Sequence, residues 1–327
     1  MKHDMRRVAV VGAGMAGLAC AAALHAAGLD VTVFDKGRRA GGRMATRRVD
    51  GMAFDHGVSV VTAHTPAFNA AMDGMAGAGA AAPWPIAGPN AWTGVPGASA
   101  LARYLEGTGV GSMNTGRHAA CLDRGAQGWT VRHLDAATAR PGLVTREGGE
   151  VAGPFDALVL ALPAPQAAGL LRAVPHRFAA EADRAGMSPR WTLMIGFAAA
   201  SEMPDLLLPG GALSVAIRNS AQPGRAAMPE CWVAHAGPDW SQAHLEDGAA
   251  TVQAALVQDF AAATGISQAP AYAAVHRWRY ALTETPLNVP ALWDPETRLG
   301  ICGDWCLGAR LEDAFTSGRA LAEMLGA

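Results

Sequence analysis

The residues with the clearest chemical potential are three glycines and an aspartate. Gly12-x-Gly14-x-x-Gly17 follows the apolar run Val8–Val11 and opens an alanine-rich segment that reaches Gly28. Each glycine has a steric reason. Gly12 makes a tight turn, Gly14 lets a pyrophosphate approach the backbone, and Gly17 lets a helix pack on the preceding strand. Phosphates then sit at the helix N-terminus, where free N–H groups and the dipole favour negative charge. Met15 and Ala16 supply backbone N–H groups there. Asp35 closes the next apolar run, Val31–Phe34, at roughly the 20-residue distance at which a carboxylate meets a ribose. Strand, glycine turn, helix, strand and acid in this order predict a dinucleotide site.

A second set of residues narrows the dinucleotide. Gly41-Gly42-Arg43-Met44 comes just after Asp35-Lys36. Paired glycines bring the chain close to the cofactor, and Arg43 offers a planar fork to the pyrophosphate. The pattern resembles the second FAD motif of the amine-oxidase and glutathione-reductase-like flavoproteins. Near the other end, Leu299-Gly-Ile-Cys-Gly303-Asp304 is an apolar strand ending in Gly-Asp. In that superfamily the aspartate accepts a ribityl hydroxyl. Glu312-Asp313-Ala314 starts a last helix, expected over residues 314–325. Its N-terminus would face the flavin N1 and C2 carbonyl, with Asp313 and Ala314 at the contact. A strand at Arg117–Ala119 is expected to meet the adenine through backbone groups, which adds Ala119. The cofactor expected is noncovalent FAD.

Candidate substrate residues are more scattered. Phe54-Asp-His56-Gly-Val58-Ser59 is the segment expected to return to the flavin, so His56, Val58 and Ser59 are pocket candidates. Gly97 and Ser99 follow the turn signal Gly94-Val-Pro-Gly97, and Ser99 is placed to cap a helix over residues 100–106. Arg190, Trp191, Arg279 and Tyr280 lie in a tryptophan-rich stretch, and Arg310 follows the Gly-Asp motif. Arg190, Arg279 and Arg310 are the cationic forks that a pyrophosphate-bearing substrate would use. The ten histidines show no His-x-x-x-His spacing and no Gly-x-Ser-x-Gly elbow occurs, so neither metal nor serine-nucleophile chemistry is predicted.

These residues require an α/β fold. The expected architecture is a Rossmann-type, glutathione-reductase-like FAD-binding domain with a second α+β substrate domain carrying an antiparallel sheet. Its elements begin with a strand at 8–11, a helix at 15–27 and a strand at 31–34. Residues 110–132 alternate weakly and read as a small antiparallel layer. Phe155–Pro163 is a continuous apolar run, as a buried parallel strand requires. Residues 1–70, 98–165 and 291–327 are assigned to the cofactor domain, and 71–97 with 166–290 to the substrate domain.

Composition bounds the function. The chain has 327 residues, half of them apolar, and a net charge of −2. That supports a sizeable core and two domains, and points to neither nucleic acid nor an anionic membrane surface. No apolar run is long enough to span a bilayer. The five cysteines give no disulfide framework, and Cys302 and Cys306 lack the spacing of a redox pair, so buried thiols are expected. Lys2, Arg6 and Arg7 precede an apolar run, as in a signal peptide, but cleavage would delete the glycine motif. A cytoplasmic location is therefore expected. Only Lys2 and Lys36 are lysines, against twenty-four arginines.

Taken end to end, the chain resembles the bacterial renalase-like FAD oxidoreductases, a branch of the flavin amine-oxidase superfamily. To the motifs above it adds Ala161-x-Pro-Ala-Pro-Gln166, Trp232-Val-x-His-Ala236, Asp239-Trp-Ser241, His276-Arg-Trp-x-Tyr280 and Cys302-Gly-Asp-Trp-Cys-Leu307. The resemblance implies a small-molecule dinucleotide substrate and dioxygen as partners. Family members oxidise dihydronicotinamide dinucleotides whose hydride sits on the wrong ring carbon, and form hydrogen peroxide. One departure stands out. Relatives carry a polar-aromatic pair after the glycine, as in Gly-Ala-Gln-Tyr, where this chain has Gly57-Val-Ser-Val60. Hydride transfer needs alignment, exclusion of water and a charge sink, with no nucleophile and no obligatory base. The competing readings are a flavin amine oxidase, a flavin monooxygenase and a non-catalytic dinucleotide sensor. Typical amine oxidases place a lysine near flavin N5, which Lys36, beside the ribose acid, cannot supply.

Overall fold

The computed structural model describes residues 5–140 and 142–327, so Lys2 lies outside the described residues. The chain divides into two compact units. The first comprises residues 1–42, 102–186 and 283–327, and the second residues 43–101 and 187–282.

The first unit is built on a six-stranded sheet. Its order is Leu292–Asp294, Leu299–Ile301, Ala157–Leu160, Arg7–Val11, Asp30–Asp35 and Ser112–Thr115. All pairings are parallel except that of the edge strand Leu292–Asp294. Val8, Ala9, Val10 and Val11 are all buried, with no alternation. A parallel strand covered on both faces requires that pattern. The helix Met15–Ala26 is alanine-rich and buried on most of its surface. It packs against the last helix, Leu311–Leu325, where a side chain at Gly318 would overlap the Ala16 carbonyl. A three-stranded antiparallel sheet completes this unit, from Arg117–Gly125, Gly128–Asp135 and Glu150–Phe155.

Two sequence expectations shift here. The antiparallel layer runs over 117–155 and not 110–132, because Ser112–Thr115 joins the parallel sheet beside Asp30–Asp35. The apolar run from Phe155 is two strands. Asp156 separates them, and its carboxylate accepts from the Arg6 and Arg7 N–H groups at 2.9 and 2.8 Å.

The second unit contains a five-stranded sheet. Its order is Leu206–Leu207, Leu213–Arg218, Glu230–Ala236, Gly186–Phe197 and Tyr272–Thr285. Strand alternation divides its residues between two faces. Trp191, Leu193, Ile195 and Phe197 point one way and pack with Trp232 against Val252, Leu256 and Phe260 of the helix Ala249–Thr264. Met194, Cys231 and Val233 point the other way and pack on Met52 and Phe54 of a hairpin. That apolar contact groups residues 43–70 with the second unit, where the sequence reading put them with the cofactor domain. Conversely, the helices Ala164–Arg172 and Phe178–Arg184 belong to the first unit.

Among the described residues, no helix is long and apolar enough to cross a membrane. All five cysteines are buried free thiols. The Cys306 thiol is pushed up to about 12, chiefly by burial, which makes it inert.

Candidate functional site

In the first unit the glycine motif forms a backbone cradle. Gly12 has φ +109°, and a side chain there would collide with the Ala161 carbonyl. A side chain at Gly17 would overlap the Gly12 carbonyl, so only glycine lets this helix start so close to the strand. Gly14 is different. Nothing in the protein lies within 4 Å of where its side chain would be. It is the N-cap of Met15–Ala26, with no side-chain cap and no acid in the first turn. Open space over uncapped N–H groups suits an anionic ligand and not internal packing.

The Gly41–Gly42 loop closes onto this turn. The Gly41 N–H donates to the Ala13 carbonyl at 2.8 Å, and a side chain at Gly42 would stand 3.3 Å from the Gly14 Cα. The Asp35 carboxylate joins the same knot, accepting from the Ala13 N–H at 2.7 Å and the Gly37 N–H at 2.6 Å. Burial raises its pKa against the pull of these two bonds and of neighbouring Lys36. Gly12, Gly14, Gly42 and Asp35 are thus brought together, with Met15 and Ala16 in the first helical turn. Lys36 is exposed. Ala119 lies on the outer strand of the antiparallel sheet, paired on one side with His133.

The third motif is also ordered. The Gly303 N–H donates to the Ser317 hydroxyl at 3.1 Å, and the buried Asp304 accepts from the Thr283 hydroxyl at 3.2 Å. The last helix begins at Leu311, three residues before the expected start. Asp313 is the reason. Its carboxylate accepts from the backbone N–H of Arg310, the N-cap residue, at 2.9 Å and from the Arg310 guanidinium at 3.3 Å, the acidic half of a capping box. The guanidinium of Arg310, expected to grip a substrate pyrophosphate, is paired with Asp313, whose carboxylate is engaged by it and by the Arg310 backbone N–H. Ala314 stays in the first turn, nearly buried.

These residues fit FAD. The cradle is open at Gly14, the turn is uncapped by side chains, and carboxylates stand at 35 and 304. Asp35, the helix turn at 15–17 and Asp304 would hold ribose, pyrophosphate and ribityl chain respectively.

In the second unit, Arg43 donates to the Ala281 carbonyl at 2.8 Å, and Met44 is buried. Gly57 lies so close to the Arg43 carbonyl that a side chain would overlap it, and Val58 N–H donates to that carbonyl at 2.9 Å. The Ser59 hydroxyl is spent on the Asp55 carbonyl at 2.6 Å. Asp55 organises the surroundings. It is buried and accepts from Thr46 at 2.6 Å, from the Ala98 N–H at 3.0 Å and from Arg225. Gly97 packs directly on this carboxylate, and Ser99, the first residue of its helix, donates its N–H to Thr46 at 3.1 Å. Arg225 was not among the candidates. Its partner lies 170 residues away, and no spacing announces it.

Two further candidates fall differently from expectation. Trp191 sits in the apolar core beneath the helix Ala249–Thr264, with its indole N–H on the His244 carbonyl at 3.0 Å. Alternation turns it away from its neighbours Arg190 and Thr192. Arg279 makes a bidentate pair with Glu246, at 2.7 and 2.8 Å, on the surface. His56, a pocket candidate, lies in an aromatic cluster, its ring centroid 5.4 Å from Trp278 and 4.8 Å from His276. Tyr280 follows Trp278 on the same strand face.

Comparison with known proteins agrees with the first unit's geometry. The description "NAD(P)-binding Rossmann-like domain" matches residues 10–81. The chain carries a Rossmann-type dinucleotide-binding domain. The sequence relatives match short stretches of the chain. A 4,4'-diapophytoene desaturase of Staphylococcus haemolyticus (strain JCSC1435) is 52% identical over 54 residues, 16% of this chain and 11% of the relative. Protoporphyrinogen oxidase 2, chloroplastic/mitochondrial, of Arabidopsis thaliana is 40% identical over 70 residues, 21% of this chain and 14% of the relative. The chain thus matches about a tenth to a seventh of the length of these curated relatives. The cyclohexylamine oxidase of Brevibacterium oxydans IH-35A has the same fold, with a TM-score of 0.70 at 14% identity over 98% of both chains.

Proposed function

We propose that the protein is an FAD-dependent oxidase whose substrate is a dihydronicotinamide dinucleotide carrying its hydride at the 2- or 6-position. The observation that carries the flavin part is the knot of Gly12, Gly14, Gly42 and Asp35, with Gly14 facing open space. When bound, FAD supplies a two-electron acceptor at N5 that carries a hydride equivalent from substrate to dioxygen, giving NAD(P)+ and, with one further proton, hydrogen peroxide. The chain supplies position and field. Asp35 would accept the ribose hydroxyls, the first helix would hold the pyrophosphate, and Asp304 would accept a ribityl hydroxyl. The N-terminal turn of Leu311–Leu325 would favour negative charge on a flavin bound at its end.

The substrate part rests on the resemblance and on lysine usage. Among the described residues the only lysine is Lys36, next to the ribose carboxylate. A dihydropyridine gives up hydride without first losing a proton, so no base is needed. The second reading, an amine oxidase, is favoured by the fold shared with cyclohexylamine oxidase. Anaerobic stopped-flow mixing separates the two. The dihydro isomers from borohydride-treated NAD should bleach the flavin far faster than cyclohexylamine or benzylamine. Bleaching by an amine at a comparable rate would replace the first reading with the second.

A further inference from the structure

We propose that His56, His276 and Trp278 form a binding face for an uncharged planar amide, with the Nδ1 of His56 accepting the amide N–H. This deepens the reading above and rests on it for the substrate, since a dihydronicotinamide is a planar ring bearing a carboxamide.

His56 is 7% exposed, and its Nδ1 has no hydrogen-bond partner. The Phe54 carbonyl lies close to the ring. Nδ1 is a buried polar atom left without a partner, which is rare enough to need a reason. The rings around it are packed in fixed geometry. His56 stacks on Trp278 at 5.4 Å, His276 meets His56 edge-on at 4.8 Å, and His276 meets Trp278 at 4.3 Å. The Trp278 indole N–H donates to the His56 carbonyl at 2.8 Å, which locks both residues. Gly57 permits this, because a side chain there would press on the Trp278 ring at 3.3 Å. His276 and Trp278 are only partly buried, so the cluster is reachable along that edge.

Charge decides the ligand class. His56 and His276 are held down to about 4, and His235, bonded to the Thr192 hydroxyl at 2.9 Å, to about 3, in each case chiefly by burial. All three imidazoles are neutral at pH 7. The charged groups that act on them are Arg47, on His56 and His276, and Arg190, on His235. Among the described residues, no carboxylate is a cause of the shift at any of the three. Asp55, next in sequence to His56, is committed to Arg225. An ammonium ion on this face would meet Arg47 and, among the described residues, no carboxylate acting on His56 or His276. A carboxamide needs no counter-ion, and its N–H satisfies the Nδ1 left without a partner.

Calorimetric titration of the FAD-loaded full chain tests this, with nicotinamide and benzylammonium as probes. Nicotinamide should bind saturably, and benzylammonium about tenfold more weakly or not at all. His56→Ala should weaken nicotinamide by about tenfold. His56→Asn, whose side-chain oxygen can stand near the Nδ1 position, should recover part of the loss and guards against a folding defect. Absent nicotinamide binding, equal binding by wild type and both variants, or tighter binding of benzylammonium overturns the proposal. The oxidase reading fails separately. If dihydronicotinamide isomers leave the flavin oxidised while nicotinamide binding still depends on His56, the amide site stands without it. If His56→Ala oxidises the isomers with unchanged KM and kcat, the amide site falls and the oxidase reading stands.

Discussion

Asp35 in the first unit and Asp55 in the second are carboxylates in similar difficulty, solved in opposite ways. Desolvation raises the pKa of both. Asp35 is held by two backbone N–H groups, Ala13 and Gly37, both inside the motif that contains it. Asp55 is held by a guanidinium, a hydroxyl and one N–H drawn from Arg225, Thr46 and Ala98. The first arrangement leaves acceptor capacity directed at a ribose. The second uses its carboxylate to tie three segments of its unit together. A buried carboxylate bonded to backbone is available to a ligand; one bonded to a buried cation is part of the frame.

Removing the two carboxylates should therefore do different things. Asp55→Ala leaves Arg225 buried without its counter-charge and should destabilise the second unit by about 3–5 kcal/mol in chemical denaturation. Replacing both partners by apolar residues, Asp55→Leu with Arg225→Met, should recover much of that. A loss below about 1 kcal/mol for Asp55→Ala would remove the contrast. Asp35→Ala should instead weaken FAD binding by about 1.5–3 kcal/mol, read from flavin titration of the apoprotein. Unchanged affinity would mean another group holds the ribose.

The glycines sharpen the same comparison within one motif. Gly17→Ala drives a methyl into the Gly12 carbonyl and should lower apoprotein stability by about 1–3 kcal/mol. Gly14→Ala meets nothing and should leave the apoprotein melting temperature unchanged while weakening FAD binding. Equal loss of stability in both variants would show that Gly14 is a packing residue.

A further effect is with pH. His56 and His276 fall to about 4 from an ordinary 6.5, so the folded chain keeps them neutral while the unfolded chain takes up protons. Their stabilisation is full above pH 6.5 and is lost as pH falls toward 4. The slope is at most about 1.4 kcal/mol per unit for each. Asp35 and Asp55, shifted upward, oppose this over the carboxylate range. Denaturation between pH 7 and 5 should show stability declining, and His276→Gln should flatten the decline. An unaltered slope would place the titration elsewhere.

What was legible in the sequence follows from the same contrast. The strand, glycine turn, helix and acid at 8–35 are local, and their spacing reports the sterics directly. The Gly303-Asp304 strand is legible for the same reason. Long-range side-chain partners are not. Arg225 has no marker, and Arg310 reads as a ligand fork until its pairing with Asp313 is seen. Trp191 reads as a pocket residue until strand alternation is known, because one position in either direction reverses its face. The domain boundary at residue 43 was hidden because Met52 and Phe54 pack on Met194 and Val233, contacts that no local pattern encodes.

The most direct test of the central claim is the flavin content of the purified full chain. The protein should be yellow, and acid precipitation should release about one FAD per chain into the supernatant, as for one Rossmann-type site. Gly14→Ala should carry less. A colourless protein that binds NAD, or colour that stays in the pellet, would contradict a noncovalent FAD site built on Gly12, Gly14, Gly42 and Asp35.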